Sequence, residues 1–254
     1  MQSRTAPFGR IVHYVHETGS TNDLAASLAE RGAPEGTIVI ASGQSAGRGR
    51  LGREWYSPVD AGLYVSLICR NRHAAPLLTL TGGIAVADGV RTATGLPVEI
   101  KWPNDIIVPA GSASSRRRKL AGVLAEASSG ADGLQYVVLG FGINLRPAAY
   151  PPEIAERATS LETELGRAVD PGPLLAAILV AFARRFAELA AGEERTVLEC
   201  WRALAPSACG ARVEWDDGSR RCEGITAGIA RDGALLVRTD RGTERIISGE
   251  VVYC

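Results

Sequence analysis

Alternating apolar positions and β-branched runs predict an ordered series of strands and helices up to residue 206. Strands are expected over residues 11–17, 36–42, 61–69 and 98–102, and then over two longer runs at 119–128 and 134–145. Apolar residues at helical spacing predict helices over 20–32, 75–95, 171–191 and 194–204. The first of these helices has Ser20 or Thr21 as its N-cap and Gly32 as its stop.

The pattern changes after Pro206. Short alternating runs follow, separated at roughly ten-residue intervals by the turn pairs Asp217-Gly218, Asp232-Gly233 and Arg241-Gly242. These features predict an α/β (α+β) domain over residues 1–206, with a mixed sheet and flanking helices. A small β-barrel is predicted over residues 207–254.

Composition excludes several classes of protein. The formal net charge is zero, so bulk binding of nucleic acid is not expected and any basic patch must be local. The absence of a run of about 18 apolar residues argues against a membrane span, and the N-terminus lacks the apolar segment of a secretory signal. We therefore expect a cytoplasmic protein. Five scattered cysteines without a C-x-x-C pair favour buried thiols over a zinc site.

Lysine is rare in this chain. Of its 28 basic residues only Lys101 and Lys119 are lysine, and the other 26 are arginine. Because arginine has replaced lysine almost everywhere, a surviving lysine marks a position where a compact ammonium is needed, unless it survived by chance.

The segment "SAGRGRLGREW" (residues 45–55) joins flexible backbone to fixed positive charge. Gly47, Gly49 and Gly52 allow backbone N–H groups to approach an anion. The guanidinium groups of Arg48, Arg50 and Arg53 suit phosphate or carboxylate, and Trp55 offers a flat face for a base. A surface linker and a nucleic-acid contact are alternatives. A loop that closes over an anionic small ligand fits best, because the segment lies between two strands of one domain.

Three further clusters carry polar groups at strand ends. Lys101 precedes a rigid turn with Asn104 and Asp105, which alternatively only cap their own backbone. Lys119 opens a strand in which Gly122 would let a ligand lie close to the backbone, or it is a solvated lysine after a basic loop. Asn144 ends the next strand, where its amide suits a ribose or phosphate, or an ordinary turn.

Four blocks in this order, "GQSAGRGRLGREW", "KWPND", "KLAGVLAE" and "GFGINL", resemble the signature of the biotin protein ligases. "ETGSTND" resembles the first block of that family, and the C-terminal strands resemble its SH3-like domain. The resemblance implies a class II synthetase-like catalytic domain that uses ATP and Mg²⁺ to convert biotin into biotinyl-5′-AMP. It also implies transfer of biotin to one lysine of a biotin carboxyl carrier protein.

The resemblance also implies roles for particular residues. The implied catalytic residues are Lys119, Arg50 and Arg48. Those expected around biotin are Ser20, Thr21, Asn22, Gln44, Gly47, Arg48, Gly49, Arg50, Lys119 and Gly122. Those expected around ATP and the adenylate are Arg50, Arg53, Trp55, Asn104, Lys119 and Asn144, with Asp105 as a weak candidate for a metal ligand. The loop that contains Gly47–Arg53 is expected to be mobile in the empty protein and ordered over the adenylate.

Alternatives remain at this point. A lipoate or octanoate ligase or transferase has a similar fold, and the "GRGRLGR" block and the C-terminal strands favour biotin over it. A ligand-sensing regulator without catalysis and an RNA-binding module are the other rivals. Since the first catalytic block begins at Glu17, no N-terminal DNA-binding domain is expected. A monomer and a homodimer are equally compatible with the sequence, and the Arg116–Arg118 run has no assigned role.

Overall fold

A computed structural model describes residues 5–110, 117–148, 150–216, 218 and 220–254. The first domain contains strands β1 (Val12–Thr18), β2 (Ile38–Gln44), β3 (Gly62–Cys69), β4 (Glu99–Lys101), β5 (Asp105–Val108), β6 (Arg118–Gly130) and β7 (Gly133–Asn144). Its helices are α1 (Thr21–Glu30), α2 (Leu78–Thr94), α3 (Pro152–Ala155), α4 (Leu161–Leu165), α5 (Pro171–Ala190) and α6 (Glu194–Leu204). The C-terminal strands are β8 (Cys209–Asp216), β9 (Arg221–Ile229), β10 (Leu235–Thr239), β11 (Gly242–Ile246) and β12 (Val251–Tyr253).

The predicted mixed sheet is confirmed. Its seven strands lie in the order β1-β2-β3-β7-β6-β5-β4. Only β1 and β2 run parallel, and every other neighbouring pair is antiparallel. The two central strands β6 and β7 are long and nearly continuously paired, so they form a rigid platform in the middle of the sheet.

The first helix forms where its capping residues predict it. Ser20 is the N-cap, and its side chain accepts a hydrogen bond from the backbone N–H of Asn22. Gly32 follows the helix in the left-handed conformation (φ 89°), which a residue with a side chain rarely adopts. The start of α1 therefore has a fixed position relative to β2, and it brings Ser20, Thr21 and Asn22 to the sheet surface.

The two faces of the sheet are covered unequally. On one face, α1 packs through Ala25 and Ala29 against Val39, Ile68 and Val138 in a small apolar cluster. On the other face, the large core joins the sheet to helices including α2, α5 and α6. Since α1 is only ten residues long, it leaves the part of the sheet beyond its N-terminus uncovered on that face.

The C-terminal strands form a five-stranded antiparallel sheet in the order β11-β10-β9-β8-β12. Among the residues described here this sheet does not close into a barrel, because β11 and β12 lie at opposite edges and do not pair. Their side chains join the core of the first domain, and Trp102 Nε1 donates to the Gly233 carbonyl at 2.9 Å. This contact joins the "KWPND" turn to the C-terminal sheet.

Three short elements were not predicted. Strand β5 follows the turn directly and has only four residues, while α3 and α4 have four and five. Such lengths are too short to show a hydrophobic period. Residues Asp217 and Arg116, which belong to the predicted turn and to the basic run, lie outside the described residues. In the described part of the chain, no helix is long and apolar enough to cross a membrane.

Candidate active site

A cavity of about 890 Å³ opens over β6 and β7, beside the N-terminus of α1. The residues predicted from the sequence converge on it. Its lining includes Ser20, Thr21, Asn22, Gln44, Arg48, Gly49, Arg50, Arg53, Trp55, Asn104, Asp105, Lys119, Gly122 and Asn144.

Gly47 is the one predicted residue that does not line the cavity. A Cβ at Gly47 would lie 2.5 Å from the Trp55 carbonyl oxygen and 2.6 Å from Ser57 Oγ. Its carbonyl accepts a hydrogen bond from the Trp55 N–H at 2.8 Å. Gly47 therefore allows two backbone segments to meet at the base of the loop.

Glycines make the cavity floor flat. We call Gly122, Gly140 and Gly142 the glycine floor. Gly122 and Gly142 are directly paired between β6 and β7, and Gly140 lies two residues further along the same face of β7. A Cβ at Gly142 would stand 2.2 Å from Trp55 Nε1, and one at Gly140 would stand 2.2 Å from Asn22 Oδ1. Only glycine allows these two side chains to lie directly on the sheet.

A hydrogen-bond network occupies the end of the cavity next to α1. Thr21 donates to Gln44 Oε1 through both its backbone N–H (2.8 Å) and its hydroxyl (3.0 Å). Gln44 Nε2 in turn donates to Ser57 Oγ at 2.9 Å. Ser66 Oγ lies 2.8 Å from Thr21 Oγ1 and 2.6 Å from Asn22 Oδ1. These short, buried polar groups can match a small heterocycle with both N–H and C=O groups.

Arg48 is anchored by carboxylates next to this network. Its guanidinium donates two hydrogen bonds to Asp23, at 2.6 and 2.7 Å, and lies 3.2 Å from Glu126 Oε2. The hydrogen bond from Arg48 lowers the pKa of Asp23, and the same contact raises the pKa of Arg48. The guanidinium thus ties the loop to the first turn of α1.

The lid, which we define as Gly47–Arg53, forms a compact hairpin. Gly49 N donates to the Arg53 carbonyl at 2.7 Å. The backbones of Arg48 and Glu54 pair across the hairpin in an isolated antiparallel β-bridge. Leu51 at its tip is two-thirds exposed and has a φ of 58°, a conformation that costs a β-carbon residue roughly 1–2 kcal/mol. The lid therefore stores backbone strain at its tip.

Arg48 and Arg50 contact different parts of the cavity. Whereas Arg48 reaches α1, the Arg50 guanidinium lies 6.0 Å from the Trp102 ring, and burial lowers its pKa. Within the described residues Arg50 makes no ion pair. A half-buried cation without a carboxylate partner is a natural binding point for an anionic ligand.

Lys119 reaches the cavity because of a β-bulge. Ile106 pairs with Ala121 and Ile107 with Lys119, so β6 contains one extra residue at Leu120. Such a bulge changes the direction of the side chains that precede it. The Lys119 ammonium lies 2.6 Å from Asp105 Oδ1 and 5.1 Å from the centre of the Trp55 ring.

Trp55 lies flat over the glycine floor. Its ring contacts Gly142 and lies 3.2 Å from the Cβ position of Gly122, with the Lys119 ammonium on its face. Within the described part of the chain, its buried Nε1 has no hydrogen-bond partner. An indole with a free donor that is buried beside cations suits a ligand with an aromatic base and phosphates.

The two predicted asparagines are already engaged in the fold. Asn104 Nδ2 donates to the Val123 carbonyl at 2.8 Å, and Asn144 Nδ2 donates to the Thr159 carbonyl at 2.8 Å. Both therefore hold chain segments beside the cavity through their amide nitrogens. Contact with a nucleotide stays a prediction for both.

Sequence reasoning missed the part of the lining that comes from distant segments. Lys101 was noted for its rarity and for its place before the Asn104-Asp105 turn, but its packing against the C-terminal sheet was not predicted. It lies 5.3 Å from the Tyr253 ring, and burial lowers its pKa. Burial also raises the pKa of Tyr253 to about 12. Arg157 and Glu250 also line the cavity. No local pattern marked Arg157, Glu250 or Tyr253, because only the tertiary fold brings them to "KWPND".

The C-terminal sheet also contacts the lid. Arg53 forms an ion pair with Glu250, in which Arg53 Nη1 lies 3.1 Å from Glu250 Oε1. The hydrogen bond raises the pKa of Arg53 and lowers that of Glu250. One wall of the cavity is thus provided by residues from the end of the chain.

Basic groups predominate around the cavity. Seven basic side chains line it, against the carboxylates Glu54, Asp105 and Glu250; the basic residues are Arg48, Arg50, Arg53, Lys101, Arg117, Lys119 and Arg157. The residues that the structure describes contain no group of three or more His, Cys, Asp or Glu that could hold a metal. This cavity is thus suited to anions, and Asp105, the weak metal candidate, is already paired with Lys119.

Comparison with known proteins gives this fold a class. Over 96% of this chain and 99% of the other, it superposes on a biotin protein ligase from Aquifex aeolicus in complex with biotin and ATP, with a TM-score of 0.80 at 27% identity. A Bacillus subtilis bifunctional ligase/repressor BirA is 32% identical over 98% of this chain and 75% of its own length. A Paracoccus denitrificans biotin–[acetyl-CoA-carboxylase] ligase is 35% identical over 93% and 98%. The fold is that of the biotin protein ligases of known structure.

Family models assign the two parts of the chain separately. Residues 14–144 match the biotin/lipoate A/B protein ligase family, and residues 208–253 match the biotin protein ligase C-terminal domain. The chain therefore belongs to the biotin/lipoate A/B protein ligase family. The resemblance seen in the sequence motifs is confirmed.

Proposed function

We propose that this protein is a biotin–protein ligase, which activates biotin with ATP and transfers it to a lysine of a carrier protein. The observation that carries this proposal is the division of one cavity into two chemically different halves. Short uncharged groups at the start of α1 form one half, and cations around Lys119 and Trp55 form the other. Biotin, with its ureido ring, and ATP, with its phosphates, are complementary to these halves.

In the biotin half, Ser20, Thr21, Asn22 and Gln44 are the polar partners of the ureido ring. That ring offers two N–H donors and one carbonyl acceptor, and the hydroxyl and amide groups provide both kinds of partner. Gly122 lets the ligand lie close to the backbone of β6. The valeryl chain then leads the biotin carboxylate toward the cationic half.

In the reaction, a biotin carboxylate oxygen attacks the α-phosphorus of ATP, a P–O bond to pyrophosphate breaks, and an acyl-phosphate forms. Two anions must approach each other, and negative charge increases on the transferred phosphoryl group. Lys119 and Arg50 provide positive charge where that charge develops, and such preorganised charge is usually the largest single contribution to catalysis. Arg48, which is bound to Asp23 and Glu126, holds the lid beside the biotin half. Arg53, Asn104 and Asn144 help to hold the nucleotide.

Mg²⁺ would enter with the phosphates of ATP and neutralise part of their charge. The residues present suit a metal that is held mainly by the ATP phosphates rather than by the protein. Asp105 is the only carboxylate proposed as a ligand, and the described residues contain no metal-binding cluster. Asp105, which forms an ion pair with Lys119 in this structure, would be the residue of this chain that holds the metal.

The second step needs no nucleophile from this chain. The amine of the carrier lysine attacks the acyl carbon, and AMP leaves. The lid and Trp55 protect the mixed anhydride from water until the carrier arrives. A biotin carboxyl carrier domain is the expected partner.

Carrier modification with substrate competition tests the proposal. The protein is incubated with ATP, Mg²⁺, biotin and a biotin carboxyl carrier domain, and the intact mass of the carrier is measured. We expect a gain of one biotinyl group that requires ATP. Unchanged carrier mass would reject the proposal. Modification by lipoate but not biotin would favour the related lipoate activity, against which the match to a biotin protein ligase C-terminal domain already argues.

A further inference from the structure

We propose that Glu126 is a positioning residue that fixes the orientation of the Asn22 amide and so presents its oxygen to biotin. This inference rests on the proposed function. Glu126 lies on β6, outside the cavity lining, and acts through the two residues that it contacts. Asn22 Nδ2 donates to Glu126 Oε2 at 2.5 Å, and Arg48 Nη2 lies 3.3 Å from Glu126 Oε1.

The chemistry of the carboxylate determines which end of the Asn22 amide faces it. An ionised carboxylate only accepts hydrogen bonds, so the nitrogen of the amide must point toward Glu126. The oxygen must then point the other way, toward Ser66 and the glycine floor. Consistently, Oδ1 lies 2.6 Å from Ser66 Oγ and directly above Gly140.

The Ser66 hydroxyl has only one proton for two neighbouring oxygens, Thr21 Oγ1 and Asn22 Oδ1. The Thr21 hydroxyl has its own acceptor, Gln44 Oε1. Therefore the buried oxygens around Ser66 can accept more hydrogen bonds than this part of the network can donate. An incoming N–H group corrects this shortage, and the biotin ureido ring carries two of them.

Without the carboxylate, this selection is lost. A neutral amide at position 126 can pair with either end of Asn22, so a flipped Asn22 would present its NH₂ group to the ureido N–H. Two donors would then face each other in a buried site, where an unsatisfied polar group is costly. Glu126 also anchors Arg48, so its removal has a second effect that the experiment must separate.

Steady-state kinetics of Glu126→Gln test the inference. We expect the KM for biotin to rise about tenfold or more, with the KM for ATP within twofold of wild type and the Tm unchanged. Glu199→Gln is the matched control, because Glu199 is exposed and its only ion pair within the described chain is with Arg195. An unchanged KM for biotin, or equal rises in both KM values, would overturn the inference.

Asp23→Asn separates the two contacts, because Asp23 binds Arg48 but not Asn22. We expect a clearly smaller rise in the KM for biotin than in Glu126→Gln. An equal rise would show that the anchoring of Arg48 explains the effect and would overturn the role assigned to the Asn22 amide.

A double variant provides a rescue. In the double variant Asn22→Asp with Glu126→Gln, the amide at position 126 donates a hydrogen bond to the carboxylate at position 22. The second oxygen of that carboxylate still faces the ligand as an acceptor. The double variant should bind biotin more tightly than either single variant by calorimetry, whereas binding no better than the weaker single variant would contradict the inference. Absence of carrier biotinylation by the wild type would instead reject the proposed function, so the two failures are distinguishable.

Discussion

Replacing Gly142 by alanine tests whether the glycine floor divides the cavity between two ligands. The added Cβ would stand 2.2 Å from Trp55 Nε1, whereas ordinary contacts begin near 3.4 Å. The indole must therefore move by roughly 1.2 Å, away from β7 and into the space proposed for the nucleotide. The strand itself can accept alanine, because Gly142 is regular β-sheet paired with Tyr64 and Gly122.

Overpacking of this kind typically costs about 1–3 kcal/mol. If that cost is paid when ATP binds, the KM for ATP rises roughly 5- to 150-fold. The Tm should change little, because Trp55 lies just after the lid, outside the hydrophobic core, and can shift without disturbing that core. Alanine also reduces the entropy of the unfolded chain, which adds about 0.4–1 kcal/mol of stability where the conformation is compatible.

Gly140→Ala is the matched control on the same strand. Its Cβ would collide with Asn22 Oδ1 instead of the indole, so the KM for biotin should rise and that for ATP should stay near its wild-type value. Initial rates of pyrophosphate release, with each substrate varied in turn, give the KM for ATP and the KM for biotin of both variants. Identical effects of the two alanines on both substrates would refute the division of the floor.

Three further predictions concern the charged groups. Glu250→Gln removes the carboxylate partner of Arg53 and should raise the KM for ATP severalfold at low salt. The difference in KM from wild type should shrink as salt is added, because salt screens an exposed ion pair. Lys101→Met should leave the Tm within a few degrees but raise the KM for ATP in the same assay. Lys101 is partly buried beside Tyr253 and forms no ion pair among the described residues, so its charge is available to an anionic ligand. Arg48 lowers the pKa of Asp23, so this pair stabilises the fold above the ordinary carboxyl pKa near 3.8, and that stability is lost as the pH falls through the lower folded value. The Tm difference between wild type and Asp23→Asn should accordingly be constant from about pH 7 to about pH 5 and disappear at strongly acidic pH; a difference that grows on acidification would contradict the assignment.

Local signals in the sequence predicted most of the catalytic sheet. Helix α1 was predicted because Ser20 and Gly32 mark its ends chemically, and β6 and β7 were predicted because long apolar runs flank a glycine turn. Lysine rarity pointed to Lys101 and Lys119, and both line the cavity. These features are encoded within a few neighbouring residues, so a single sequence contains them.

Features that depend on pairing between distant segments were not predictable. The register that places Gly122 opposite Gly142, and the bulge that directs Lys119 into the cavity, arise only when strands pair. Glu126 ends the "KLAGVLAE" block, but its contacts with Asn22 and Arg48 form only when α1 and the lid pack beside β6. Closure of the C-terminal sheet was not predictable, because turn signals locate hairpins but do not show whether the edge strands β11 and β12 meet.

The central claim is that Lys119 lies at the centre where biotin and ATP react. Exchange of labelled pyrophosphate into ATP, measured with biotin and Mg²⁺ but without a carrier, isolates that step. We expect biotin-dependent exchange in the wild type and a loss of about 100-fold or more in Lys119→Arg, with an unchanged Tm, because a guanidinium cannot place its charge where the ammonium does. Exchange that does not require biotin, or a near-normal rate in Lys119→Arg, would contradict the account.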